Sequence, residues 1–189
     1  ILLIIVISIA IYYNYYQKKK YNKQLREIND QLEIINKQLL KSNLEKENLI
    51  GIIKGELNLA SKYVTSLLPV EYKDENINAE WIFQPSEELG GDSFGYHYID
   101  DENFAMYLLD VSGHGVGAAL HSVQVLNILQ NSTLPNVDFK KPEEVLNALN
   151  KIFQMNHYSG LYFTIFYAVY NVKTRTLCYS AAGHPPMLL

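Results

Sequence analysis

Phe104-Ala105-Met106-Tyr107-Leu108-Leu109-Asp110-Val111-Ser112-Gly113-His114-Gly115 is the stretch whose reading decides the fold. The residues from Phe104 to Leu109 are apolar, enough for a strand buried on both faces, and the run stops abruptly at a carboxylate. Val116 to Gln130 then follows with mostly apolar residues at helical spacing. A buried strand therefore turns through glycines into a buried helix, with an acid at the turn. A carboxylate in such a place is costly unless something neutralises it, and a bound cation is a common solution.

Working outward, Ser93 to Ile99 alternates in strand fashion and Asp100 to Asn103 reads as a hairpin turn, so this segment pairs with the buried strand. The loop before it ends in Gly90-Gly91-Asp92. The hairpin can bring Asp92 and Asp110 to the same edge of a sheet. Further upstream, Ala79 to Gln84 is a short strand candidate ended by Pro85. Downstream, Ser132 to Lys141 is a loop, and Pro142-Glu143-Glu144 has the proline and acids of a helix first turn. That helix is predicted to reach about Met155, with Val145, Leu146, Leu149, Ile152 and Phe153 on its inner side. Leu161 to Val172 reads as a strand, Lys173 to Thr176 as a turn and Leu177 to Ala181 as the returning partner, before Gly183-His184-Pro185-Pro186 breaks the pattern. Strands, two helices and strands in that order predict an α+β layered fold rather than a regular βαβ alternation.

The chain has 189 residues, 48% hydrophobic and 19% charged, enough to bury a core. A formal net charge of −4 argues against a nucleic-acid partner, because phosphate-backbone affinity needs clustered Lys and Arg. The single cysteine, Cys178, excludes an internal disulfide and is expected to be a small core residue. The first residue is Ile1 and the last, Leu189, lies in an apolar start, so the expectation is a piece of a longer protein.

Ile1 to Ile11 is almost wholly aliphatic, and Tyr12, Tyr13, Tyr15, Tyr16 and Lys18-Lys19-Lys20 follow. Aromatic residues and then lysines are how the cytoplasmic end of a spanning helix looks. Residues 1–16 are therefore expected to be a clipped transmembrane helix in the cytoplasmic membrane, with the rest of the chain in the cytoplasm. Residues 17–66 are expected to form a coiled-coil or linker helix: Leu25, Ile28, Leu32, Ile35 and Leu39 alternate steps of three and four, the seam of a two-helix coiled coil, which predicts a homodimer. Ser42 and Lys46 interrupt that seam before Leu49 and Ile53 resume it. Residues 67–78 read as a connector after Pro69 stops the helix, and a separate folded domain occupies 79–189.

Asp92 and Asp110 have no lysine or arginine nearby in sequence. Hard divalent cations, Mg²⁺ or Mn²⁺, prefer such oxygen ligands, and a pair of them can activate water for in-line displacement at phosphorus. The same residues also admit a structural reading, in which Asp92 makes a turn and Asp110 caps the following helix. Gly113, Gly115 and Ala118 satisfy a dinucleotide-binding outline, Gly-x-Gly-x-x-Ala, kept as a minor alternative because a loop follows where a second strand is required. The five histidines lack zinc-site spacing. Of them, His114 lies in the acid-glycine turn and could meet a substrate phosphate, His121 reads as structural, and His184 as fixing a turn.

Leu67-Leu68-Pro69, Gly90-Gly91-Asp92, Asp110-Val111-Ser112-Gly113-His114-Gly115-Val116-Gly117-Ala118-Ala119-Leu120 and Ala182-Gly183-His184-Pro185-Pro186 resemble, in order and spacing, the successive signatures of the stage II sporulation protein E-like serine phosphatases. These are a branch of the metal-dependent protein phosphatase 2C superfamily. The resemblance implies an αββα sandwich, of which residues 79–189 would be the N-terminal part, and a two-metal Mn²⁺ or Mg²⁺ centre that hydrolyses phosphoserine or phosphothreonine on a protein. It implies that Asp92 is a ligand to one metal, that Asp110 bridges both and that the carbonyl of Val111 completes the other. It further suggests an anti-sigma-factor antagonist as substrate. Many relatives carry another acid three residues after the first, where this chain has Gly95. The remaining metal-binding acids are expected beyond Leu189, so the fragment alone is expected to be inactive. A catalytically silent domain that binds a partner through the same fold is the alternative of a different class.

Overall fold

The computed structural model describes residues 1–84, 89–157 and 160–188. It divides into two compact units, Ile1–Lys54 and Gly55–Leu189. The long helix α1, Leu2–Ser66, contributes to both. Every residue of the first unit is exposed, including the seam residues Leu25, Leu32, Ile35 and Leu39. Along it, i,i+4 ion pairs such as Lys37 with Glu33 at 2.6 Å decorate the helix surface. Among the described residues, no helix is long and apolar enough to cross a membrane.

The second unit holds the core. α1 ends at Ser66, ahead of Pro69, and Leu68 turns inward to become 7% exposed. A two-residue hairpin follows, β1 (Tyr72–Lys73) with β2 (Asn78–Ala79). The side chain of Asp74 builds its turn by accepting the N–H groups of Asn76 and Ile77 at 2.7 and 2.6 Å. The strand predicted over Ala79 to Gln84 is confined to its first residue; residues 81–84 have no regular structure, and Pro85 lies outside the described residues. Trp81 and Phe83 instead lay their rings against Phe94 and act through side-chain packing.

The main sheet has the order β3 (Ser93–Tyr98), β4 (Asn103–Val111), β5 (Phe163–Asn171), β6 (Thr176–Ala182). All three pairings of this sheet are antiparallel. Alternation sorts its residues. Ala105, Tyr107, Leu109 and Val111 on β4, with Ile165, Tyr167 and Val169 on β5, point to one face and are all at most 4% exposed. Helices α2 (Val116–Gln130) and α3 (Pro142–Ile152) cover that face, α2 over β3 and β4, α3 over β5 and β6. Val125, Leu126 and Leu129 of α2 and Val145 and Leu149 of α3 complete the cluster, each burial contributing on the order of 1.5–3 kcal/mol. Tyr107 and Tyr167 stack at its centre with centroids 6.0 Å apart, and the Tyr167 hydroxyl donates to the Phe139 carbonyl at 2.9 Å.

Two expected burials are not met. Ile152 is 40% exposed because α3 ends there and Phe153 takes the inward position. Cys178 is exposed, not core: β6 is an edge strand, and none of its residues is buried. His121 is structural as read, 4% exposed and edge-on to Phe153 at 5.1 Å.

The opposite face of the sheet carries Phe94, Met106, Leu108 and Phe166 and lines a cavity of about 620 Å³. The even-numbered residues of β3 and β4 face this side, and at its far end so do Asp92 and Asp110.

Candidate active site

Two glycines and a helix start bring the acids together. The register pairs Ser93 with Leu109, so Asp92 stands directly across from Asp110 at the open end of the hairpin. Gly91 makes the approach possible. A Cβ there would lie 2.8 Å from the Val111 carbonyl oxygen and 2.9 Å from its Cβ, closer than side chains tolerate, and a tight 3.1 Å from the Ala118 Cβ. The Gly115 N–H donates to the Leu89 carbonyl at 2.8 Å and pins the loop before Asp92 to the start of α2. Gly113 and Gly115 both take left-handed backbone angles, φ of 84° and 82°, which glycine adopts without strain.

Asp92 is exposed to solvent, yet its carboxyl is held above the usual carboxylate range, first by desolvation and then by the facing Asp110 carboxylate, while His184 pulls the other way. Among the described residues no lysine or arginine forms an ion pair with either acid. Asp110 does not cap α2: the N-cap is Gly115 and receives no side-chain hydrogen bond. An uncompensated pair of hard oxygen ligands fits a hard divalent cation. Among the described residues no group of three or more His, Cys, Asp or Glu is arranged to hold an ion. What this stretch of chain offers is therefore two carboxylates, with backbone carbonyls such as that of Val111 beside them.

His114 is exposed between the two left-handed glycines. Ser112 is occupied structurally: its N–H donates to the Tyr162 carbonyl at 2.8 Å and its hydroxyl accepts the Tyr162 N–H at 3.1 Å. Gly95, where many relatives carry an acid, faces the helix layer, and a Cβ there would sit 2.5 Å from the Tyr107 ring. The dinucleotide outline at Gly113, Gly115 and Ala118 is overturned, since α2 leads into no parallel neighbour of β4 in this sheet.

The residue missed from sequence is Thr164. It pairs with Asp110 across β4 and β5, and its Oγ1 lies 3.0 Å from His184 Nδ1. His184, read as a turn residue, thereby joins the acid end of the sheet. A strand threonine carries no sequence signal of its own, and only the register reveals it.

Residues 100–189 match the family model described as stage II sporulation protein E. The chain is 29% identical over 136 residues to the phosphoserine phosphatase RsbP of Bacillus subtilis and 31% identical over 147 residues to the phosphoserine phosphatase RsbU of the same organism, covering 71% and 75% of this chain. It spans only 34% and 42% of the length of those relatives. In fold it is similar to the solved SiaA-PP2C domain of Pseudomonas aeruginosa, with a TM-score of 0.56 at 17% identity over 70% of this chain and 54% of that one. Helices on one face of an antiparallel sheet, the paired acids at its end and these likenesses agree: residues 100–189 carry a domain of the stage II sporulation protein E family, and the fold of that unit is of the PP2C type.

Proposed function

We propose that the protein is a metal-dependent serine/threonine phosphatase of bacterial signalling, and the observation that carries this is the facing pair Asp92 and Asp110 at the end of the β3–β4 hairpin, with which no lysine or arginine among the described residues forms an ion pair. Asp92 would hold one of two Mn²⁺ or Mg²⁺ ions, Asp110 would bridge both, and the Val111 carbonyl would serve the other. Bound there, such ions supply a water of lowered pKa and offset charge on a phosphoryl group. The chain's own part is to fix the two carboxylates rigidly, through Gly91 packed on Val111 and Gly115 hydrogen-bonded to Leu89. His114, on the exposed turn beside them, would meet the phosphate.

The relatives' names support a phosphoserine substrate, and a phosphorylated protein such as an anti-sigma-factor antagonist is the substrate class proposed. We further propose that the exposed seam of α1 pairs with that of a second copy. An isolated helix with an exposed apolar stripe, here from Leu25 to Leu39, gains by burying it. Residues 1–16 are proposed as the cytoplasmic end of a membrane anchor, with the phosphatase domain in the cytoplasm; recovery of the full protein in the soluble fraction would overturn this. The activity is tested by Mn²⁺-dependent release of phosphate from a phosphoserine protein by the full protein. No release with either Mn²⁺ or Mg²⁺ would favour a silent, partner-binding domain.

A further inference from the structure

A row of polar side chains crosses the acid end of the sheet: Asp92 before β3, Asp110 on β4, Thr164 on β5 and His184 just past β6. Its last member is reached by a sharp turn. Gly183 has φ of 68°, and a Cβ on it would stand 3.3 Å from Thr164 Cγ2, so glycine lets the chain fold back over Thr164. The bridge between Ile165 and Gly183 holds that fold in place. His184 is then partly buried, with Nδ1 3.0 Å from Thr164 Oγ1, and it borders the cavity over the outer face. The contact admits either direction; in the tautomer in which the threonine hydroxyl donates to Nδ1, the ring proton resides on Nε2, a donor on the opposite edge of the imidazole.

We propose that His184 is a substrate-binding residue that donates from Nε2 to a phosphoryl oxygen of the phosphoester, and that Thr164 is the positioning residue that fixes its ring. The inference rests on the phosphatase reading above. Thr164, which holds the ring, pairs directly with Asp110 across β4 and β5, and this places the imidazole at the acid end of the sheet. A hydrogen-bond donor beside two carboxylates is chemically apt, because a bound phosphoryl group brings anionic oxygens next to a pair of acids. Pro185 and Pro186 stiffen the segment that carries the imidazole.

The test uses the full protein with His184→Gln, His184→Ala, Thr164→Val and Thr164→Ser. Mn²⁺ binding is followed by calorimetry, and inorganic phosphate is used as a competitive probe in the presence of Mn²⁺. KM and kcat are measured on a phosphoserine protein. The expected result is Mn²⁺ affinity within about twofold of the parent in every variant, phosphate affinity weakened about tenfold in His184→Ala and less in His184→Gln, and KM raised more than kcat is lowered. Thr164→Val should reproduce part of the loss and Thr164→Ser should restore it. Unchanged phosphate affinity in both His184 variants, or equal behaviour of Thr164→Val and the parent, overturns the inference while leaving the phosphatase reading intact. A parent protein that binds no Mn²⁺ and releases no phosphate overturns both.

Discussion

Asp92 and Asp110 face each other across the open end of the β3–β4 hairpin, and desolvation together with the facing charge holds the Asp92 carboxyl above its ordinary range. Two carboxylates so placed repel in the metal-free protein and are relieved by a cation. Asp110→Asn in the full protein should therefore remove Mn²⁺-dependent hydrolysis, lowering turnover by more than about 100-fold. It should leave the metal-free fold as stable or slightly more stable, because one of the repelling charges is gone. Turnover of a phosphoserine protein and a melting curve without metal check the two halves. Retained turnover would refute the assignment.

Gly91 touches Val111 and Ala118 with no room for a methyl group, and the nearest obstacle is backbone. Gly91→Ala should cost about 1–3 kcal/mol and displace Asp92 from its partner. Mn²⁺ affinity should fall with it. Gly51→Ala in α1 is the control, since a Cβ there meets nothing within 4 Å and the change should stabilise the helix by up to about 1 kcal/mol. Melting temperatures of the two variants should move in opposite directions.

Much of this architecture is legible in the residues themselves. The apolar run ending at Asp110, the alternation of Ser93 to Tyr98 and the polar turn between them specify the hairpin, because each pattern is local and repeats at the period of its element. The acid pairing follows from counting back along two strands. The meeting of Thr164 and His184 with Asp110 is not legible in that way, because it depends on a register between β4 and β5 that spans some fifty intervening residues. The same holds for Cys178, whose strand reads as core until the sheet order makes it an edge. Trp81 and Phe83 look like strand residues by composition, but their aromatic rings are used in packing on Phe94 and among the described residues no strand pairs with them.

His97 lies on the helix-facing side of β3, edge-on to Tyr107 at 6.1 Å, and both its ring nitrogens are buried without a hydrogen-bond partner among the described residues. Burial lowers its pKa from 6.5. The unfolded chain therefore binds more protons than the folded one between that value and the lowered one, so stability is present at neutral pH and is lost as pH falls through this window. His97→Leu should flatten the acid dependence of the melting temperature as pH falls below the ordinary histidine value of 6.5. An identical slope in the parent and the variant would show that His97 is not the group responsible.

The apolar seam of α1 is interrupted at Ser42 and Lys46, between Leu39 and Leu49, and all of these residues are exposed in the single chain. If two copies pair along it, the interruption is where the pairing is weakest and where a change of register or spacing costs least. Ser42→Leu combined with Lys46→Leu would place apolar side chains there and contribute roughly 1.5–3 kcal/mol for each residue buried between copies. Self-association of the full protein, measured by sedimentation, should tighten by more than about tenfold. Because α1 ends at Ser66, immediately before Leu67, and Gln130 at the far end of α2 donates to the Leu67 carbonyl at 3.3 Å, a stiffened seam should also change phosphatase output through the helix that begins beside Asp110. Tighter association with unchanged turnover would confine the seam to holding two copies together. Unchanged association would mean that the seam meets something other than its own copy.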